Sequence, residues 1–101
     1  MNRGIVVTGG GNGIGKQICI DFIQAGDKVC FIDIDEKRSA DFAKEYSNLF
    51  YFYGDVADPL TLKRFIEYAM KKLHRIDVLI NNACCSSKGI LSSLTYEEFD
   101  Y

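Results

Sequence analysis

Apolar runs and amphipathic stretches alternate along the chain. Short apolar runs predict buried strands at 5–7, 28–33, 49–53 and 76–80. The stretches between them repeat apolar residues at helical spacing. They predict three helices: the first begins near Gly13, the second runs from about Glu36 to Tyr46, and the third follows Pro59 as far as Leu73. Strand–helix–strand repetition at this spacing predicts an α/β fold with a parallel sheet and right-handed crossovers.

Capping residues support these helix boundaries. Asp35 stands at the N-cap position of the second helix, and Asp58 followed by Pro59 has the same arrangement at the start of the third. Residues 86–93 resemble a loop. The capping-box spacing from Thr95 to Glu98 then predicts the start of a last helix.

A glycine-rich turn at residues 8–15, Thr-Gly-Gly-Gly-Asn-Gly-Ile-Gly, connects the first strand to the first helix. Glycines permit positive φ and let the backbone come close to phosphate groups with no Cβ in the way. The helix that follows directs its unpaired N–H groups and positive dipole end toward an anion. The turn therefore predicts a pyrophosphate-binding site, with a glycine-rich turn that binds nothing as the alternative.

Asp33 ends the second strand, 18 residues after Gly15. A carboxylate at this position can accept hydrogen bonds from both hydroxyls of an adenine ribose and would repel a 2′-phosphate. No lysine or arginine occurs among residues 10–12, and Ile34 follows Asp33. NAD is therefore favoured over NADP as the ligand. The alternative is that Asp33 caps a helix, but Asp35 is already placed for that role.

Polar residues also follow the third and fourth strands. Asp55 and Val56 come after the third strand, where a carboxylate and a backbone amide could contact an adenine. A plain turn is the alternative there. Asn81, Asn82 and Ala83 leave the fourth strand at the same edge, where ligands of open α/β sheets bind. Such amides also commonly tie loops together.

Composition argues against several other classes of function. A chain of 101 residues with 48% hydrophobic content fits one domain covering 1–101. Its net charge of -2 offers no attraction to nucleic acid or to an anionic membrane. No apolar run approaches the ~18 residues of a membrane helix, so we expect a cytoplasmic protein. One histidine and the lack of a Cys-x-x-Cys spacing argue against a metal site.

The four cysteines fall into two groups. Cys19 and Cys30 lie among apolar neighbours and are expected to be small buried hydrophobes. Cys84 and Cys85 are adjacent, which makes a disulfide between them strained. A reactive thiol at either of these two positions stays open.

The motifs, in this order and spacing, resemble the N-terminal half of the short-chain dehydrogenase/reductase family. The residues that carry the resemblance are Thr8-Gly9-x-x-x-Gly13-Ile14-Gly15, Asp33, Gly54-Asp55-Val56 and Asn81-Asn82-Ala83. The likeness covers essentially all 101 residues. It implies a three-layer Rossmann-type fold whose strand order is 3-2-1-4 and which is truncated after the fourth strand.

The family pattern also implies roles for individual residues. Asp33 would bind the adenine ribose, Asp55 and Val56 would contact the adenine, and Asn82 with Ala83 would line the cofactor near its ribose. The residues that would hold the pyrophosphate are Gly9, Gly11, Asn12, Gly13, Ile14 and Gly15. Cys84 departs from the family, which usually has glycine after Asn-Asn-Ala. Its Cβ occupies space where the loop would approach the nicotinamide half of the cofactor.

In the family, the catalytic serine and a Tyr-x-x-x-Lys pair lie further along than residue 101. The resemblance therefore implies the NAD-binding portion of an oxidoreductase that moves hydride between NAD and an alcohol or carbonyl, without turnover by this chain alone. A stand-alone nucleotide-binding or regulatory module and one piece of a split enzyme are the alternatives. Tyr68 and Lys72 have the family spacing, but helical periodicity places both on the solvent side, so no catalytic residue is assigned.

The fourth strand, Asp77-Val78-Leu79-Ile80, becomes an edge in the implied strand order, although its composition is that of a central strand. No proline or inward lysine protects it from pairing with another chain. We therefore expect self-association through this edge, or a swap of the segment after Asn82, to give a homo-oligomer or a swapped dimer.

Overall fold

Strands and helices alternate through the computed structural model, which describes residues 2–11 and 13–82. The elements are β1 (Gly4–Thr8), α1 (Gly13–Gln24), β2 (Lys28–Asp33), α2 (Glu36–Ala43), β3 (Leu49–Tyr53), α3 (Pro59–Leu73) and β4 (Val78–Asn81). The strands pair in parallel in the order β3-β2-β1-β4. This confirms the parallel sheet and the strand order. The predicted loop at 86–93 and the last helix lie outside the described residues.

Two predicted boundaries were wrong by a few residues. Helix α2 ends at Ala43 rather than Tyr46, because the Glu45 N–H donates to the Phe42 carbonyl at 3.0 Å and the chain tightens into a turn. Strand β4 begins at Val78 rather than Ile76. The Asp77 N–H still donates to the Gly4 carbonyl at 2.7 Å, but the Gly4 N–H donates to the Asp77 carboxylate at 2.8 Å instead of to a backbone carbonyl of the strand.

Both faces of the sheet are covered, so the central strands are apolar on both sides. One face packs against α3 and forms a cluster of Val6, Cys30, Ile32, Phe65, Ile66, Ala69 and Leu73. The other face packs beneath α1 and α2 and contains Ile5, Val7, Cys19, Val29, Phe31, Phe42 and Leu49. Both predicted buried cysteines are confirmed, and burial raises the pKa of the Cys19 thiol to about 12.

The buried face of α3 differs from its predicted face at two positions. Met70 belongs to the apolar residues at helical spacing that end at Leu73, a pattern that predicts burial, but 39% of its surface is exposed. Tyr68 was expected on the solvent side, but it is half-buried with its ring 5.3 Å from the ring of Phe52. The helix turns this side inward because Phe52 on β3 offers an aromatic surface next to Phe65.

Two ion pairs hold the amino ends of the strands, at the opposite edge from the glycine turn. Arg3 donates from its backbone N–H and its guanidinium to the buried Asp27 carboxylate, with Nη2 2.8 Å from Oδ2. This guanidinium is the largest cause that lowers the pKa of Asp27. Arg75 binds the Asp77 carboxylate in the same way, with Nη2 2.6 Å from Oδ1. Across the described part of the chain, every helix is too short or too polar to span a bilayer.

Candidate functional site

Three turns meet at the carboxyl edge of the sheet, and hydrogen bonds tie each of them to a neighbouring strand. The Gly9 N–H donates to the Ile32 carbonyl at 2.8 Å, and the Gly54 N–H donates to the Asp33 carbonyl at 3.3 Å. The Asn82 N–H donates to Thr8 Oγ1 at 2.9 Å. The turns after β1, β3 and β4 are therefore held at the carboxyl ends of β1 and β2, the edge to which the sequence assigned them.

Two glycines of the turn after β1 have a left-handed backbone. Gly9 has a φ of 69° and Gly13 has a φ of 56°. A Cβ on Gly13 would meet no atom within 4 Å, so its backbone conformation is what requires glycine there. Gly13 is also the first residue of α1, whose unpaired N–H groups face this edge. Asn12 lies outside the described residues.

Two other glycines allow close packing. A Cβ on Gly10 would lie 2.7 Å from Cβ of Phe31 and 3.0 Å from Sγ of Cys19, so the turn lies directly on the core. A Cβ on Gly15 would overlap the carbonyl oxygen of Gly9. The missing side chain at Gly15 lets α1 begin against the turn. Ile14 next to it points away from the core and is 74% exposed.

The Asp33 carboxylate at the end of β2 is held by two backbone amides. Oδ2 accepts the Gly11 N–H at 2.9 Å, and Oδ1 accepts the Asp35 N–H at 2.9 Å. The Asp35 side chain caps α2 by accepting the Arg38 N–H at 3.2 Å, as predicted. Asp33 therefore connects the glycine turn to the start of α2, and its half-buried carboxylate lies at the sheet edge.

The turn after β3 is closed by hydrogen bonds to Asp55. Asp55 is exposed, and its Oδ1 accepts the Ala57 N–H at 2.9 Å. Its carbonyl accepts the Asp58 N–H at 3.1 Å. Val56 packs its side chain against the core cluster beneath α3. The Asp55 carboxylate and carbonyl therefore both accept hydrogen bonds within the turn that leads into α3.

The turn after β4 is tied to the glycine turn through Asn82. Its Nδ2 donates to the Gly9 carbonyl at 3.0 Å, and its N–H donates to Thr8. Thr8 in turn donates from Oγ1 to Asn81 Oδ1 at 3.2 Å. These amides thus join loops, the alternative that the sequence left open, and they do so at the predicted edge. Ala83 lies outside the described residues.

Two polar residues behind Asp33 were missed by sequence reasoning. Ser39 on α2 is fully buried, and Tyr51 on β3 donates from its hydroxyl to the Asp33 carbonyl at 3.1 Å. The one signal in the sequence was a serine on the inward side of an amphipathic helix, where an apolar residue is usual.

Tyr68 and Lys72 on α3 are not arranged as a proton-transfer pair. Burial raises the pKa of Tyr68, which is the opposite of what an acid–base tyrosine needs. Lys72 Nζ lies 6.0 Å from the ring centroid of Phe50, near the amino end of β3. Lys72 therefore lies toward the amino end of β3, and Tyr68 packs on Phe52 instead of facing solvent as expected.

Comparison with known proteins places this geometry in a family. The sequence pattern described as short chain dehydrogenase matches residues 3–101. An apo SCOR enzyme from Clostridium thermocellum is 83% identical with a TM-score of 0.82, and the match covers 99% of this chain and 41% of that one. The short chain dehydrogenase/reductase dpmpG of Macrophomina phaseolina is 32% identical, over 94% of this chain and 58% of its own length.

A more distant structure shares the fold. The 3-ketoacyl-(acyl-carrier-protein) reductase from Brucella melitensis, complexed with NADH, is 24% identical with a TM-score of 0.74, and the match covers 76% of this chain and 32% of that one. The chain thus spans less than two thirds of each of these three relatives. Since the family pattern extends over nearly all of its residues, the chain belongs to the short chain dehydrogenase family.

Proposed function

We propose that this chain is the NAD-binding portion of an oxidoreductase that transfers hydride between NAD and an alcohol or carbonyl compound. The observation that carries the proposal is the Asp33 carboxylate, which is fixed by the Gly11 and Asp35 amides beside the glycine turn. The relatives of the chain support hydride transfer as the class of reaction, because they include a short chain dehydrogenase/reductase and a reductase complexed with NADH.

The residues present at the carboxyl edge fit such a cofactor. A Cβ on Gly13 would project into open space, so its absence leaves room for a ligand close to the backbone where α1 begins. The N–H groups that begin α1 favour the negative charge of a pyrophosphate. Asp33 accepts the ribose hydroxyls, and Asn82 keeps the turn in place through the Gly9 carbonyl. When bound, NAD supplies the hydride acceptor or donor.

Charge at the end of β2 favours NAD over NADP. A 2′-phosphate would be brought to short range of the Asp33 carboxylate, and like charges about 4 Å apart repel by at least about 1 kcal/mol even in water. Arg38 on α2 has its Nε 3.6 Å from Oδ2 of Asp35, which partly neutralises its charge. We therefore expect NAD to bind at least about fivefold more tightly than NADP.

Isothermal titration of both nucleotides into the chain tests this proposal. Asp33→Ala should weaken NAD binding and narrow the gap between the two nucleotides. Asp41→Ala is the matched control. Asp41 is an exposed carboxylate on α2, and its substitution changes the net charge by the same amount. Equal affinities in the unchanged chain, or a preference for NADP, would refute the role of Asp33.

We further propose that the chain binds NAD without turning it over by itself. The described residues form the proposed cofactor site. The tyrosine with the family spacing, Tyr68, has its pKa raised by burial on the α3 side of the sheet, which does not suit it to proton transfer. Incubation with NAD and a panel of alcohols, followed at the absorbance of NADH, should show no steady product formation. Continuous NADH production by the purified chain would contradict this.

A further inference from the structure

A small polar group is buried behind Asp33, between α2 and β3. Ser39 is fully buried, and its hydroxyl makes no hydrogen bond of good geometry with any residue of 2–11 or 13–82. The Tyr51 hydroxyl lies near it and donates to the Asp33 carbonyl. Burial raises the pKa of Tyr51 to about 12. The Ser39 hydroxyl is close enough to that of Tyr51 to oppose this rise in pKa.

Gly11 shows how Ser39 and Asp33 are placed relative to each other. A Cβ on Gly11 would overlap Oγ of Ser39 and would lie 2.7 Å from Oδ2 of Asp33. Both oxygens therefore lie against the same side of Gly11, and the Ser39 hydroxyl occupies space next to the carboxylate. A buried hydroxyl without a good hydrogen-bond partner lowers the stability of the folded chain, so stability does not explain why a serine is present here. Alanine would serve the packing of α2 equally well.

We propose that Ser39 and Tyr51 are positioning residues that set nucleotide specificity by holding Asp33 at the sheet edge. This inference rests on the proposed binding of NAD by Asp33. Ser39 blocks the space behind the carboxylate, so the side chain stays forward where it meets the ribose. Tyr51 holds the backbone of the same residue through its carbonyl. Without them the carboxylate retreats, hydrogen bonds to the ribose lengthen, and a 2′-phosphate is repelled less.

The test compares Ser39→Ala and Tyr51→Phe with two control variants by titration of NAD and of NADP. Ser47→Ala is the serine control, because Ser47 is exposed beyond the end of α2. Tyr46→Phe is the tyrosine control, because Tyr46 packs on the same face with its ring 6.0 Å from that of Phe42. Urea unfolding of each variant is measured alongside, so that a loss of stability is seen separately.

Ser39→Ala should weaken NAD binding by about threefold to tenfold, because roughly one hydrogen bond between the Asp33 carboxylate and the ribose would be lost. NADP binding should weaken less or improve, and the urea midpoint should not fall. Tyr51→Phe should change the NAD-to-NADP ratio in the same direction by a smaller factor. Neither control should alter that ratio.

The outcomes separate this inference from the proposed function. If the unchanged chain prefers NAD and both variants keep that preference, the inference is wrong and the role of Asp33 stands. If Ser39→Ala lowers the urea midpoint while the ratio stays the same, Ser39 is a packing residue only. If the unchanged chain binds neither nucleotide, both the proposed function and this inference fail.

Discussion

Replacing Gly15 by alanine tests whether the start of α1 is shaped by contact with the glycine turn. Gly15 is the third residue of α1, and an alanine inside a helix is normally favoured over glycine by about 1 kcal/mol. Helix propensity alone therefore predicts a stabilised protein. The structure predicts the opposite, because the added Cβ would overlap the Gly9 carbonyl oxygen and lie 2.5 Å from Nδ2 of Asn82.

The size of the loss follows from what must move. The Cβ meets backbone, which cannot rotate away as a flexible side chain could, and forced overpacking costs about 1–3 kcal/mol. Displacing Asn82 also weakens its 3.0 Å hydrogen bond to the Gly9 carbonyl, worth about 1 kcal/mol. These costs exceed the gain in helix propensity. We expect Gly15→Ala to lower the free energy of unfolding by about 1–3 kcal/mol.

Urea unfolding followed by circular dichroism measures this difference. Gln17→Ala, at an exposed position on the same helix, is the control for helix propensity and should shift stability by less than about 0.5 kcal/mol. In an Asn82→Ala background the cost of Gly15→Ala should shrink, because one of the displaced groups is already gone. A midpoint for Gly15→Ala at or above that of the unchanged chain would refute the reasoning.

Three further predictions concern regions away from the glycine turn. Because Arg3 lowers the pKa of Asp27, the stabilisation by this pair is complete above about pH 4 and is lost as the pH falls further; Arg3→Ala should therefore flatten the loss of urea stability in acid. Tyr68→Phe should remove a phenol that ionises above the usual pKa of about 10 in an ultraviolet titration and leave NAD affinity unchanged. Strand β4 pairs only with β1 in residues 2–11 and 13–82, so light scattering should show a mass that rises with concentration, whereas a constant monomer mass would contradict self-association through this edge.

Much of the fold could be predicted because its signals are local. Asp35 and Asp58 cap their helices as predicted, since an N-cap depends only on the residues that follow it. The buried face of α3 was predicted less well. Whether Tyr68 or Met70 points inward depends on Phe52, which belongs to a strand far away in the sequence. Helical periodicity does not contain that information.

The site divides in the same way. The glycine turn and the aspartate at the end of β2 are recognisable in the sequence because each is tied to one element boundary. Ser39 and Tyr51 are not, since their relation to Asp33 arises only when α2 packs against β3 of the sheet. A serine at a buried helix position was the one available sign, and taken alone it points to no particular chemistry.

For Asp33, the observed structural role is compatible with the proposed binding role. Sequence reasoning weighed a helix cap against a ribose ligand, and the structure gives the carboxylate backbone partners at Gly11 and Asp35. An ionised carboxylate has about four acceptor sites, so two backbone hydrogen bonds leave about two for ribose hydroxyls. Those backbone bonds order the side chain before any ligand arrives, so less entropy is lost when one binds. If Asp33 binds a nucleotide as proposed, the hydrogen bonds that stabilise the turn also preorganise the carboxylate for that ligand.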